Sequence, residues 1–111
     1  MPAPGDVIGV DFGVPIGSEA GHPRPAVIVT AAEIMAYEPH TFQVVPLTTS
    51  RRDWATEVDV KADGLTAPSV AQCHLLTTVP IQRMIDVDRY GNIGPVALAQ
   101  IRAVLADMLD I

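Results

Sequence analysis

Most of this chain alternates apolar and polar residues at a spacing of two, and only its last stretch switches to helical spacing. Asp6 to Phe12 sets Ile8, Val10 and Phe12 on one face, the pattern of a first strand. Pro25 to Thr30 runs apolar without a break through Ala26-Val27-Ile28-Val29, which predicts a central strand. Ala31 to Tyr37 predicts a short helix, with Thr30 as N-cap, Glu33 completing a capping box, and Pro39 ending it. Thr41 to Leu47 predicts a third strand. Thr56 to Val60 alternates Val58 and Val60 with Glu57, Asp59 and Lys61, a half-exposed fourth. Ala62-Asp63-Gly64 turns the chain into a long strand over Ser69 to Val79. Its alternation puts Ala71, Cys73, Leu75 and Thr77 on one face and Gln72, His74, Leu76 and Thr78 on the other. Ile81 to Val87 holds one helical turn around Gln82-Arg83-Met84. The one long helix runs from Pro95, in its first turn, to Leu109. Leu98, Ile101, Leu105 and Met108 form its stripe, joined by Val104 and Leu109. A single helix against a small, strongly bent sheet predicts an α+β, mainly β, barrel-like fold, with residues 1–111 as one domain.

Composition narrows the function classes. At 111 residues the chain can bury one modest core, roughly 65% of its unfolded surface. Ten prolines, about twice the usual share, predict many turns and few helices. No apolar run approaches the roughly 18 residues of a membrane span, and the start Met-Pro-Ala-Pro-Gly-Asp has no signal-peptide pattern. The lone Cys73 permits no internal disulfide and fits a reducing cytoplasm. A net charge of −6 excludes general polyanion binding, so any nucleic-acid contact is local and built on a few arginines.

Two segments concentrate the remaining chemistry. Gly17 to Pro23 is a polar loop that meets the apolar run at Arg24, which has a proline on each side. Pro23 and Pro25 narrow the backbone at His22 and Arg24, so the guanidinium is presented at a strand mouth where an anion could bind. A plain snorkelling arginine is the competing reading. The second segment, Thr48-Thr49-Ser50-Arg51-Arg52, follows the third strand; its hydroxyls could as well serve only to close a turn. Arg51 and Arg52 are either a solvated pair or backbone-phosphate contacts. Trp54 either stacks a base or packs on the sheet, and His74 reads as a satisfied sheet histidine. His22, His40, His74 and Cys73 have no metal-ligand spacing. The glycines at 5, 9, 13, 17 and 21 precede no helix and make no phosphate loop.

At these residues the chain resembles the MazF/PemK-type toxins of bacterial type II toxin–antitoxin systems. Gly5 to Phe12 is similar to the family's first strand, and Gly17-Ser18-Glu19 followed by Arg24-Pro25-Ala26-Val27 resembles its signature loop and second strand. Val45-Pro46-Leu47-Thr48 resembles its third strand, and Ser69-Val70, Gln82-Arg83 and the C-terminal helix follow in order. His74, Leu75 and Thr77 depart from the family's usual Glu-Gln and basic residue. The resemblance implies a small SH3-like barrel (CcdB/MazF/PemK-like) with a C-terminal helix and a cytoplasmic homodimer. It also implies an mRNA-interferase activity that cuts single-stranded RNA without metal or other cofactor. Arg24 and Thr48 match the family's catalytic pair. Glu19 and His22 are the candidates for acid and base, and Ser18, Thr49, Ser50, Arg51 and Arg52 for RNA binding. The implied partner is an acidic-tailed antitoxin. The alternatives are a non-enzymatic CcdB-like poison and an inactive binding module on the same fold.

Overall fold

The computed structural model describes residues 1–14, 16–17 and 22–111. Seven strands, β1 (Val7–Asp11), β2 (Pro23–Ile28), β3 (Thr41–Thr48), β4 (Glu57–Val60), β5 (Ser69–Gln72), β6 (Thr77–Pro80) and β7 (Met84–Asp86), form one antiparallel sheet. The order is β4-β5-β3-β2-β1-β7, with β6 also on β3. This path is open, so the molecule is a compact, strongly bent α+β sheet structure that stops short of strict barrel closure. Two helices complete it, the single-turn α1 (Ala32–Met35) and the long α2 (Gly94–Leu109).

The unbroken apolar run of β2 has a direct cause: β2 lies between β1 and β3 and is covered on both faces. Val7, Val27, Val45 and Leu47 point to one cluster, closed by Val58, Val60, Ala71, Cys73 and by Ile101 and Leu105 of α2. Ile8, Val10, Ala26, Ile28, Phe42 and Val44 point the other way, to a cluster closed by Met35 of α1 and Val79 of β6. Phe12 packs beside Ile8 and Val10, as the alternation predicts.

The long strand over Ser69 to Val79 does not exist as one strand. A 3-10 turn at Cys73–Leu75 divides it into β5 and β6. Both halves pair with β3, β6 through Phe42↔Val79 and β5 through Leu47↔Ala71. The register shifts between them by three residues, the length of the turn. An odd insertion inverts side-chain parity. Ala71 therefore faces the cluster under α2, whereas Val79 faces the opposite one.

Smaller corrections concern termini. Thr30 does not cap α1, whose N-cap is Ala31 with no side-chain bond. Instead the buried Thr30 hydroxyl donates to Gln43 Oε1 at 2.6 Å and accepts the Gln43 amide at 2.7 Å, tying the end of β2 to β3. In α2 the stripe ends one turn early: Ile101 and Leu105 are buried, while Met108 and Leu109 are exposed. The helix starts through Asn92, whose Oδ1 accepts the Gly94 amide at 2.7 Å. No helix is long and apolar enough to cross a membrane among the described residues.

Candidate active site at the end of the central strands

The site is built where β2, β3 and β5 lie side by side. The β2–β3 register pairs Ala26 with Pro46, Val27 with Val45 and Ile28 with Val44. Continued by two residues, it sets Arg24 across from Thr48. Parity puts both on the face that carries Phe42 and Val44, one residue beyond the apolar cluster on that face. Thr48 in turn pairs with Val70 of β5, so Gln72 shares this face as well. Because β3 lies between β2 and β5, Arg24 must cross the end of β3 to reach Gln72. It does so: the Arg24 guanidinium donates through Nη2 to Gln72 Oε1. Arg24 is half-buried and Gln72 is buried.

This arrangement leaves Arg24 under tension. Its Nε is buried and has no hydrogen-bond partner among the described residues. Loss of hydration lowers its pKa, and repulsion from nearby Arg52 lowers it further. The Thr48 hydroxyl accepts the Ser50 amide at 3.1 Å, which fixes the oxygen and leaves its hydrogen free to be donated. Beside Thr48 a hollow of about 250 Å3 is lined by Thr49, Ser69, Arg89 and Tyr90 among others. The larger cavity, about 730 Å3 between Leu65, Pro68 and α2, shares Ser69 with it but has no arginine in its lining.

The sequence model for the PemK-like, MazF-like toxin of type II toxin-antitoxin systems matches residues 3–109. The chain belongs to the PemK/MazF-like toxin family. That family is known for endoribonucleases. MazF from Deinococcus radiodurans superposes with a TM-score of 0.82 at 20% identity, covering 99% of this chain and 97% of that one. Mycobacterium tuberculosis toxin MazF-mt6 gives 0.75 at 23%, covering 96% and 97%. An endoribonuclease from a mycobacterial species, solved in complex with its cognate antitoxin, gives 0.77 at 24%, covering 100% and 97%. A search of curated proteins returns no match.

The rest of this PemK/MazF-like site hangs from one carboxylate. Glu57, which pairs with Gln72 across β4 and β5, accepts the Arg52 amide at 3.0 Å and the Trp54 amide at 3.4 Å. The loop after β3 is thereby folded back over the site face. Arg52 lies over the Trp54 ring, 5.2 Å from its centroid. Arg51 is paired with Asp53 at 3.4 Å and with Asp59, so its charge is already matched. Trp54 belongs to neither core cluster, contrary to the packing reading. His74 sits in the 3-10 turn and not in the sheet; its Nδ1 lies 2.9 Å from Thr56 Oγ1.

Of the predicted residues, Arg24 and Thr48 come together, with Arg52 close by. Thr49 and Ser50 follow on the exposed loop. His22 is exposed at φ 62° and donates its amide to Gly13 O at 2.6 Å, closing the base of the β1–β2 loop. Ser18 and Glu19 lie outside the described residues. Gln72, the buried last residue of β5, was missed. Among the described residues no three His, Cys, Asp or Glu side chains gather in a metal-binding group.

Proposed function

We propose that this chain is the toxin of a toxin–antitoxin pair and cleaves single-stranded RNA with Arg24 and Thr48 at the reacting phosphate. The observation that carries this reading is the Arg24 guanidinium, half-withdrawn from water, held by Gln72 across the end of β3, with a buried Nε donor that has no partner among the described residues. A buried unpaired donor costs about 1–3 kcal/mol, and a phosphate oxygen is the partner a guanidinium fits best.

In the proposed reaction the substrate's 2′-hydroxyl attacks the adjacent phosphorus and the 5′-oxygen leaves. The products are a 2′,3′-cyclic phosphate and a 5′-hydroxyl, with one proton lost from the nucleophile and one delivered to the leaving oxygen. Arg24 and the Thr48 hydroxyl donate to the non-bridging oxygens as negative charge builds on them. Arg24 keeps its charge at neutral pH and is a stabiliser, not a proton carrier. Proton transfer falls to Glu19 and His22, on the loop that joins β1 to β2. No step calls for a metal.

The antitoxin bound to the mycobacterial relative supports a protein inhibitor here too. Its acidic tail would lie on the Arg24 and Arg52 side of the site, and the active unit would be a homodimer. The test is to incubate the purified protein with mixed single-stranded RNA in EDTA and map the ends. Cyclic phosphate and 5′-hydroxyl ends are expected. Activity lost in EDTA and restored by magnesium overturns the metal-free chemistry, and an intact RNA pool overturns the nuclease reading in favour of a binding poison.

A further inference from the structure

We infer that the indole of Trp54 is a stacking seat for a nucleobase of the bound single-stranded RNA, next to the phosphate held by Arg24. The inference rests on the nuclease reading above and adds a substrate-binding residue to it.

Trp54 is 51% exposed and packs in neither core cluster, yet it is firmly placed. Its amide bonds to Glu57, and the His74 ring supports it at a centroid distance of 5.1 Å and a tilt of 59°. His74 is itself fixed by Thr56. An indole that is immobilised but left half in water gains little for folding and is suited to a flat ligand. In the free protein the planar Arg52 guanidinium occupies part of that place, over the ring. Arg52 is exposed and its side chain has no ion-pair partner among the described residues, so a base can take its position while the guanidinium turns to a phosphate. The location fits. Glu57, the anchor of Trp54, is paired with Gln72, and Gln72 holds Arg24. A base on Trp54 is therefore attached to the stretch of backbone that reaches Arg24 and Thr48. Stacking recognises any base through its π-face.

The chain has one tryptophan, so its intrinsic fluorescence reports this place alone. We would titrate the protein with short 2′-O-methyl RNA oligonucleotides, which bind without being cut, and measure cleavage of unmodified RNA in parallel. Quenching or a spectral shift is expected, larger with a purine than with an abasic spacer at one defined position. Trp54→Ala should weaken oligonucleotide binding at least ~10-fold, appearing in KM more than in kcat, and Trp54→Phe should restore most of it. Unchanged emission on RNA binding, or a Trp54→Ala variant that binds and cleaves like wild type, overturns the seat and leaves the nuclease intact. Wild-type protein that neither binds nor cuts RNA overturns both. Loss of antitoxin affinity with RNA affinity unchanged reassigns the indole to the protein partner and overturns the inference.

Discussion

Arg24 has one arm of its guanidinium bonded to Gln72 and an Nε without a partner among the described residues, the arrangement on which its proposed role at the phosphate rests. Gln72 is then a positioning residue, and its removal should act through Arg24. Gln72→Leu matches the volume and apolar surroundings but leaves Nη2 without its partner. We expect kcat to fall ~10-fold or more with KM little changed, as for loss of transition-state alignment. A change in KM alone would show that Gln72 contacts substrate instead. Cys73 illustrates the opposite case, a titratable group wholly devoted to packing. Burial pushes its thiol up to about 11. The fold thus holds the proton that the unfolded chain releases at lower pH, so stability should fall as pH rises from about 9 towards 11. Thiol reagents at pH 8 should label it only as fast as the protein opens. Rapid stoichiometric labelling of the native protein would contradict this.

The elements show how a few close approaches shape the site. The turn after β4 meets the segment before α2 at Gly64, whose amide donates to Tyr90 O at 2.9 Å. A Cβ there would lie 2.2 Å from Arg89 O, a backbone atom that cannot yield. Gly64→Ala should cost about 1–3 kcal/mol, read as a lower urea midpoint with unchanged slope. It should also disturb the hollow beside Thr48, because Gly64, Arg89 and Tyr90 all line it. A midpoint within error of wild type would mean the two segments separate freely. At this scale the sequence was legible where burial is two-sided, with Ala26-Val27-Ile28 in β2 and Ile8 and Val10 in β1. It placed the strand ends less well: β2 starts two residues before the predicted Pro25 and ends at Ile28, so Arg24 lies inside the strand and not at its mouth, and Phe12 follows the end of β1. It misled at 69–79, since the residues on either side of the Cys73–Leu75 turn keep an alternation that only pairing with β3 could show to be inverted. Arg24 stood out as a candidate through its flanking prolines and the family resemblance, Thr48 through the resemblance alone. Gln72 was not legible, because it reaches Arg24 across 48 residues through the strand order β5-β3-β2. Glu57 and the Arg51–Asp59 pair were not, because they depend on how the loop after β3 turns back onto β4.

The whole molecule carries a net charge of −6 yet brings Arg24 and Arg52 near one another at the end of β2. Such a body repels nucleic acid in general and admits a short anionic segment at one place. With about two phosphates contacted, the logarithm of RNA affinity should fall with log salt at a slope of about −1.4. A much steeper dependence would imply a larger basic track than the structure contains. The ion pairs sort the two loop arginines. Arg51→Ala should leave RNA affinity within about twofold, because Arg51 already faces Asp53 and Asp59. Arg52→Ala should weaken RNA and an acidic antitoxin tail together, most at low salt. If Arg52→Ala spares the antitoxin while losing RNA, the two ligands use different surfaces.

The most direct test of the account is the single-turnover rate of RNA cleavage in chelator by Arg24→Ala and Thr48→Ala beside wild type. Each should fall by at least roughly 100-fold, as removal of a donor to a developing oxyanion does, with folded circular dichroism retained. Near-wild-type cleavage by a folded Arg24→Ala variant would contradict the central claim that this guanidinium stabilises the reacting phosphate.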